Sequence, residues 1–199
     1  NLTKVELWKV DSSFSSTTKS YNSFGRVSSD SDGLGNITNY SFDDYNLYVS
    51  TSTNPLSQIT SYLYDYSNGK VKQKINHNGY IFKTLYDPLD RIKEYKQPDI
   101  QNPNSLVTRT QYSYTDNVFP VKVQKVDLLD GSVDTNQYLY IDGFGREIQN
   151  RIEAEGVNTY SVSDKLYNNR GNLVRESLPY FASSTDYNSA TTSNALFTN

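Results

Sequence analysis

Cysteine and methionine are both absent from this 199-residue chain, and histidine and tryptophan occur once each. Without cysteine there is no disulfide framework, no thiolate metal site and no thiol nucleophile. The lone His77 leaves any zinc site with carboxylates alone as co-ligands, and no Gly-x-Ser-x-Gly elbow offers it a serine to activate. An unbroken run of ~18 apolar residues is also missing, so nothing is expected to span a membrane. No signal peptide is visible, which places any export signal outside this stretch. Charge of one sign is lacking too. The 22 acidic and 19 basic residues are mixed along the chain and leave −3, without the basic stripe of a nucleic-acid binder. With no methionine at its start, the sequence reads as a fragment or a processed piece.

What is abundant is tyrosine, 18 residues against 8 phenylalanines. Tyrosine and threonine favour strands, while frequent Asn, Asp, Ser and Gly favour turns. The dominant signal is an internal repeat. Tyr21-Asn22-Ser23-Phe24-Gly25-Arg26-Val27 recurs as Tyr64–Lys70, Tyr86–Ile92, Tyr140–Arg146 and Tyr167–Leu173, with degenerate copies at Phe42-Asp43-Asp44 and Tyr114-Thr115-Asp116. The anchors thus fall at 21, 42, 64, 86, 114, 140 and 167. Between anchors, an alternating run such as Val71-Lys72-Gln73-Lys74-Ile75 leads to a turn cluster, and a second run then ends in Tyr or Phe. The turn clusters are Asp32–Asn36, Asn76–Gly79, Asp130-Gly131 and Glu155-Gly156. Strand, glycine turn, strand is a β-hairpin. The anchor is read as a second kind of turn joining successive hairpins, its Gly at φ > 0 and its Asp or Asn bonding backbone N–H groups two residues on. One hairpin alone is marginal, so stability must come from neighbours.

These strings resemble the YD-repeat or Rhs family, which includes bacterial Rhs toxins, the B components of insecticidal toxin complexes and animal teneurins. The resemblance covers about residues 21 to 181 and is closest from Tyr21 to Asp43. A narrower likeness runs through Asp142–Gln149, Tyr167–Arg175 and Leu178–Phe181, which look like the middle region of toxin-complex B components and their SpvB-like relatives. It implies repeats that wind into a hollow β-shell around a cytotoxic C-terminal segment. The copies drift: Asp90 stands at the Gly position, Lys70 and Asn172 replace Arg, and the unit at Phe42 lacks Gly-Arg. Turn residues tolerate such drift; catalytic ones do not. No counterpart of the family's aspartyl self-cleavage site is found, and Asp87-Pro88 belongs to an ordinary anchor.

Candidate chemistry was weighed against the repeat. Asp30–Asn36 has the alternating oxygens of a Ca²⁺ loop, but it lacks a terminal bidentate Glu, and Ser28 stands where a propeller-type loop needs its first Asp. It is read as a hairpin turn. Glu153 and Glu155 lie two apart on an expected strand, ~7 Å along one face, a spacing that suits a glycosidase pair; they are read as flanking the Gly156 turn. His77 is read as a turn residue. The tyrosines, with Trp8, could line a sugar-binding face, but their fixed phase points to core packing. The Asn-x-Ser/Thr sequons at Asn1, Asn36 and Asn39 matter only in a host that glycosylates.

The expectation is therefore an all-β chain of about seven tandem hairpins in a twisted, spiralling sheet that forms part of a larger shell. Residues 1–20 hold a leading strand (Val5–Val10) and a Ser/Thr-rich connection, 21–181 the repeats, and 182–199 a polar loop or linker. The strands about Val5–Val10 and Leu173–Ser177 are expected as unpaired edges, and the longest insertion at Gln97–Ser105. Function is expected to be mechanical, a scaffold around a toxin cargo with the rest of its chain and other toxin-complex subunits as partners, secreted or at the cell surface. No catalytic, cofactor or metal residues are expected. The alternative is an extracellular adhesion or carbohydrate-binding module.

Overall fold

The computed structural model describes residues 2–8, 13–129, 134–188 and 197–198. Every regular element among them is a strand. The chain divides into two units: Asn1–Leu85 with Lys96–Val107, and Tyr86–Tyr95 with Thr108–Asn199.

Unit 1 is an antiparallel meander in which each strand pairs with the next through β8. Its strands are β1(Lys4–Trp8), β2(Phe14–Tyr21), β3(Val27–Ser31), β4(Ile37–Phe42), β5(Val49–Thr53), β6(Ile59–Asp65), β7(Lys70–Ile75) and β8(Ile81–Tyr86). After β8 come β9(Ile92–Pro98) and β10(Leu106–Thr115). In unit 2, β10 pairs with β11(Val121–Asp127), then follow β12(Thr135–Ile141), β13(Glu147–Glu153) and β14(Tyr160–Tyr167). β14 is flanked on one part of its length by β15(Leu173–Ser177) and on another by β16(Tyr180–Ala182). The short β17(Phe197–Thr198) pairs with the end of β15. That pairing corrects the expectation of an open edge at Leu173–Ser177: Glu176 and Ser177 face Thr198 and Phe197. Lys9 and Val10 of the expected first strand, the Asp130-Gly131 turn, the Asn1 sequon and most of the tail lie outside the described residues.

The hairpins are made by one turn used repeatedly. At Asn22, the side-chain Oδ1 accepts the N–H groups of Phe24 and Arg26, both at 3.0 Å, and Gly25 N–H reaches the Asn22 carbonyl at 2.9 Å. The same three bonds recur from Asp32, Asn54, Asn76, Asp87, Asp142 and Asn168. A short Asx side chain thus satisfies donors that the reversing backbone strands. The fourth residue must be left-handed: φ is 75° at Gly25 and 78° at Gly145, but also 62° at Ser57 and 61° at Asp90.

Two expectations change here. The anchor turns at Asn22, Asp87, Asp142 and Asn168 are the same loop as the turns between anchors at Asp32, Asn54 and Asn76, so the elementary step is half of the supposed unit. Asp32, Asp43, Asn54, Asp65, Asn76 and Asp87 follow one another every eleven residues. Four anchors carry a β-bulge beside their turn, between Ser20 and Tyr21, Ser41 and Phe42, Leu63 and Tyr64, and Leu166 and Tyr167. The bulge near residue 140 lies between Tyr140 and Ile141, and Asp142 caps that turn. The anchor position there is Ile141, one residue after the Tyr140 chosen from the sequence. In a strand, one residue is the difference between the two faces.

Burial divides the units. Every buried residue among those described lies in unit 2. Its core is Tyr138, Tyr140, Tyr160 and Val162, with Ile148, Tyr180 and Ala182 packed against it.

Candidate functional site

The anchors themselves form the first candidate site. In the two units that carry both Asp and Arg, the carboxylate does three things. Oδ1 of Asp142 caps the turn, while Oδ2 takes Arg146 Nε at 2.8 Å and its terminal nitrogen at 2.6 Å. Asp87 and Arg91 repeat this at 2.8 and 2.7 Å. Burial would raise both aspartates, but hydrogen bonds from their own turns and from the arginines outweigh it and hold them below the usual carboxylate range.

The arginine then covers the anchor tyrosine of the following unit. Arg146 lies 4.5 Å from the Tyr167 ring centre, and Arg91 lies 3.9 Å from that of Tyr114. Each hydroxyl donates to the carbonyl just after that arginine, Tyr167 to Glu147 at 2.9 Å and Tyr114 to Ile92 at 2.8 Å. Cation–π contacts of this type contribute ~0.5–1 kcal/mol when exposed. So Asp caps, Arg is tied to that Asp, and Tyr of the following unit closes over both. Where the Asp43 loop is one residue longer, Tyr48 takes the arginine's place and stacks on Tyr64 at 4.6 Å. The degenerate unit at 114 departs differently: Asp116 receives both terminal nitrogens of Arg91, at 2.7 and 2.9 Å.

The second candidate is a polar face in unit 2. Alternation along β12, β13 and β14 puts Tyr138, Tyr140, Gln149, Arg151, Val162 and Asp164 on one side, through the pairs Tyr140↔Gln149, Tyr138↔Arg151, Gln149↔Asp164 and Arg151↔Val162. Gln149 is 0% exposed, and Arg151 and Asp164 are each 1% exposed. Buried charge is costly unless its hydrogen bonds are made, and here they are. Asp164 accepts Gln149 Nε2 at 2.6 Å and the Tyr180 hydroxyl at 2.9 Å. Gln149 Oε1 accepts Arg151 Nε at 2.8 Å. The remaining donors point away from the sheet, into residues 183–188. Arg151 donates to the Ser184 carbonyl at 2.6 Å and to Asn188 Oδ1, Gln149 to the Asn188 carbonyl at 2.8 Å, and Tyr140 to the Thr185 carbonyl. Burial pushes the Tyr140 phenol up to about 12.

The residues singled out for chemistry lie in turns and strands, apart from one another. Asp32 gives one oxygen to Leu34 and Asn36 N–H groups at 2.8 and 2.9 Å and the other to Asn36 Nδ2 at 2.8 Å. Led by that Asn36 side-chain bond, these contacts lower its pKa. Asp30 accepts the Tyr40 hydroxyl at 3.0 Å. Glu153 and Glu155 do not share a strand: β13 ends at Glu153, whose Oε2 accepts the backbone and side-chain nitrogens of Asn136, both at 2.9 Å, while Glu155 is exposed in the following loop. The backbone reverses there through Ala154 N–H to the Thr159 carbonyl. His77 is exposed in the Asn76 turn, and Trp8 meets Phe14 edge-on at 4.7 Å. No three His, Cys, Asp or Glu side chains among the described residues gather as a metal site would require.

No protein-family model matches this chain, and no curated protein matches it in sequence. Solved structures match its fold. The crystal structure of TcdB2–TccC3 aligns with 90% of this chain at TM-score 0.66 and 15% identity. The same pair without its hypervariable C-terminal region aligns with 96% at TM-score 0.72 and 13% identity. The Tc holotoxin pore of Photorhabdus luminescens aligns with 94% at 0.58 and 17% identity. This chain spans 12%, 15% and 10% of those chains, respectively. The likeness establishes an all-β toxin-complex type of fold for the present stretch.

Proposed function

We propose that this stretch is a piece of structural wall in a longer, exported protein, one that encloses or presents a toxin cargo and performs no catalysis itself. The observation carrying this reading is the anchor chain of Asp, Arg and next-unit Tyr. Residue types that elsewhere do chemistry are consumed at Asp87–Arg91–Tyr114 and Asp142–Arg146–Tyr167 in tying one unit to the next. The fold shared with toxin-complex chains supports it, as do the YD-type strings in the sequence. Its partners would be the remainder of its own chain, the enclosed cargo and other toxin-complex subunits.

The test uses the longer protein that carries this stretch. Replacing Gly25 and Gly145 together by Val breaks two turns, and the segment proposed as cargo should then be cut by proteinase K at least about tenfold faster, the effect of ~1.4 kcal/mol on an opening equilibrium. Equal protection in both proteins would contradict an enclosing wall. The exposed edge-to-face pair Tyr45–Tyr66, 5.7 Å between ring centres, favours a second reading as a carbohydrate-binding surface. Glycan-array binding lost in Tyr45→Ala, with protease protection unchanged, would favour that reading instead.

A further inference from the structure

The polar face of unit 2 has a property that neither the repeat nor the wall role requires. Its long side chains aim at main-chain oxygens. Three of the four acceptors described above on residues 183–188 for Tyr140, Gln149 and Arg151 are backbone carbonyls, those of Ser184, Thr185 and Asn188. Strap side chains are met as well: Asn188 Oδ1 by Arg151 and Gln149, Thr185 Oγ1 by Lys122 at 3.4 Å, and the Tyr187 ring by Tyr140 at 5.5 Å. Ser184 and Asn188 are themselves exposed, whereas the donors beneath them are buried. We propose that the Tyr140–Gln149–Arg151 face is a binding seat for a bent polypeptide main chain, filled here in cis by Ser184–Asn188.

The seat is built before the strap arrives. Asp164 holds Gln149, Gln149 holds Arg151 Nε, and the guanidinium therefore presents its two terminal nitrogens outward. Its planar fork keeps that direction with little loss of freedom, and Tyr180 fixes Asp164 from the other side. Because every residue carries a carbonyl, such a seat accepts many sequences. Its ligand class is a bent peptide segment with an amide or carboxylate side chain at the position of Asn188. The inference does not depend on the wall role.

The intact chain provides the first test. Chymotrypsin cleavage after Tyr187 requires the strap to leave the seat. Arg151→Lys keeps the charge but loses the fork, and cleavage should rise about tenfold, the effect of one charged hydrogen bond. Ser184→Ala and Thr185→Ala keep their carbonyls, so cleavage should change by less than about threefold, the scale of a minor surface change. A large effect of the two alanines with none from Arg151→Lys would overturn the proposal.

The second test uses the chain with a protease site inserted between Ala182 and Ser183, cut after folding. The released 183–199 peptide should stay bound on gel filtration and exchange for a labelled synthetic copy. A copy with Ala at 184 and 185 should compete within about threefold, by the same reasoning. Immediate loss of the peptide from the cut chain, or failure of the alanine copy to compete, would show that the strap is held by its covalent link or its side chains and would overturn the seat.

Discussion

Unit 1 and unit 2 use the same turn, yet only unit 2 has an interior. Along unit 1 the Asx residues keep an eleven-residue step from Asp32 on, strands such as β4 and β7 alternate between half-buried and exposed, and none of the unit's described residues is buried. From β10 onward the step stretches. There Tyr138, Tyr140, Tyr160 and Val162 close into a core beneath β16 and the strap. Regular repetition therefore specifies where the chain reverses, and it does so locally, one side chain per turn. It does not specify a core. The core appears where the sequence breaks phase, because a one-residue offset carried Tyr140 to the opposite face.

The sharpest way to break this comparison is to remove a large side chain from each unit. Tyr160→Ala should cost about 3–5 kcal/mol, as for other buried aromatic truncations. Tyr62→Ala, a half-buried cross-strand residue, should cost no more than ~1 kcal/mol. Urea unfolding of both variants checks this, and similar losses would mean that unit 1 has a core of its own.

A turn substitution should show the opposite, equality. Gly25→Val and Gly145→Val each force a β-branched residue to φ near 75°, and each should cost about 2 kcal/mol. Nothing lies within 4 Å of a Cβ added at Gly145, so the cost there is backbone strain without a clash. A difference larger than ~1 kcal/mol between the two sites would mean that the turns are not equivalent. In the reverse direction, Ser57→Gly relieves a left-handed residue at φ 62° and should stabilise by about 0.5–1 kcal/mol in thermal unfolding.

The smallest effect is on pH. Asp32 is held low first by Asn36's side chain, and Asp87 and Asp142 by turn bonds that outweigh burial. A depressed folded pKa contributes stability that is present above the unfolded value of ~3.9 and is lost as pH falls through the folded one. Stability should be flat from neutrality to about pH 4 and decline below it. Asp32→Asn keeps the cap, as Asn22 and Asn54 do, and should make that acid limb shallower. An unchanged acid limb would show that the turn carboxylates do not drive it.

Much of this fold was legible in the sequence, and the exceptions have physical causes. Asp or Asn followed by Gly three residues later marked Asn22, Asp32, Asn76 and Asn168. The Asn54 turn was missed because Ser57 fills the left-handed position that glycine usually announces. Aligning repeats on tyrosine set Tyr140 one residue early, since the capping Asx, not the ring, defines the loop. Gln149, Arg151 and Asp164 were not singled out, because such side chains are seldom fully buried unless paired. The strap gave no signal at all. Ser183-Ser184-Thr185-Asp186-Tyr187-Asn188 has the composition of a linker, and it is held largely by carbonyls that any sequence would supply. Its placement, too, depends on the pairing of β16 with β14, which no local pattern encodes.

Native-state hydrogen exchange, read residue by residue across the whole chain, tests most directly the claim that turns shape both units while only unit 2 has a core. The account predicts that ladder amides of β12, β13 and β14 exchange at least about a hundredfold more slowly than those of β3 to β7, equivalent to ~2.7 kcal/mol of extra opening free energy. The turn N–H groups bonded to Asx side chains should be alike in the two units. Equal protection of the ladders, or slower exchange in β3 to β7, would contradict it.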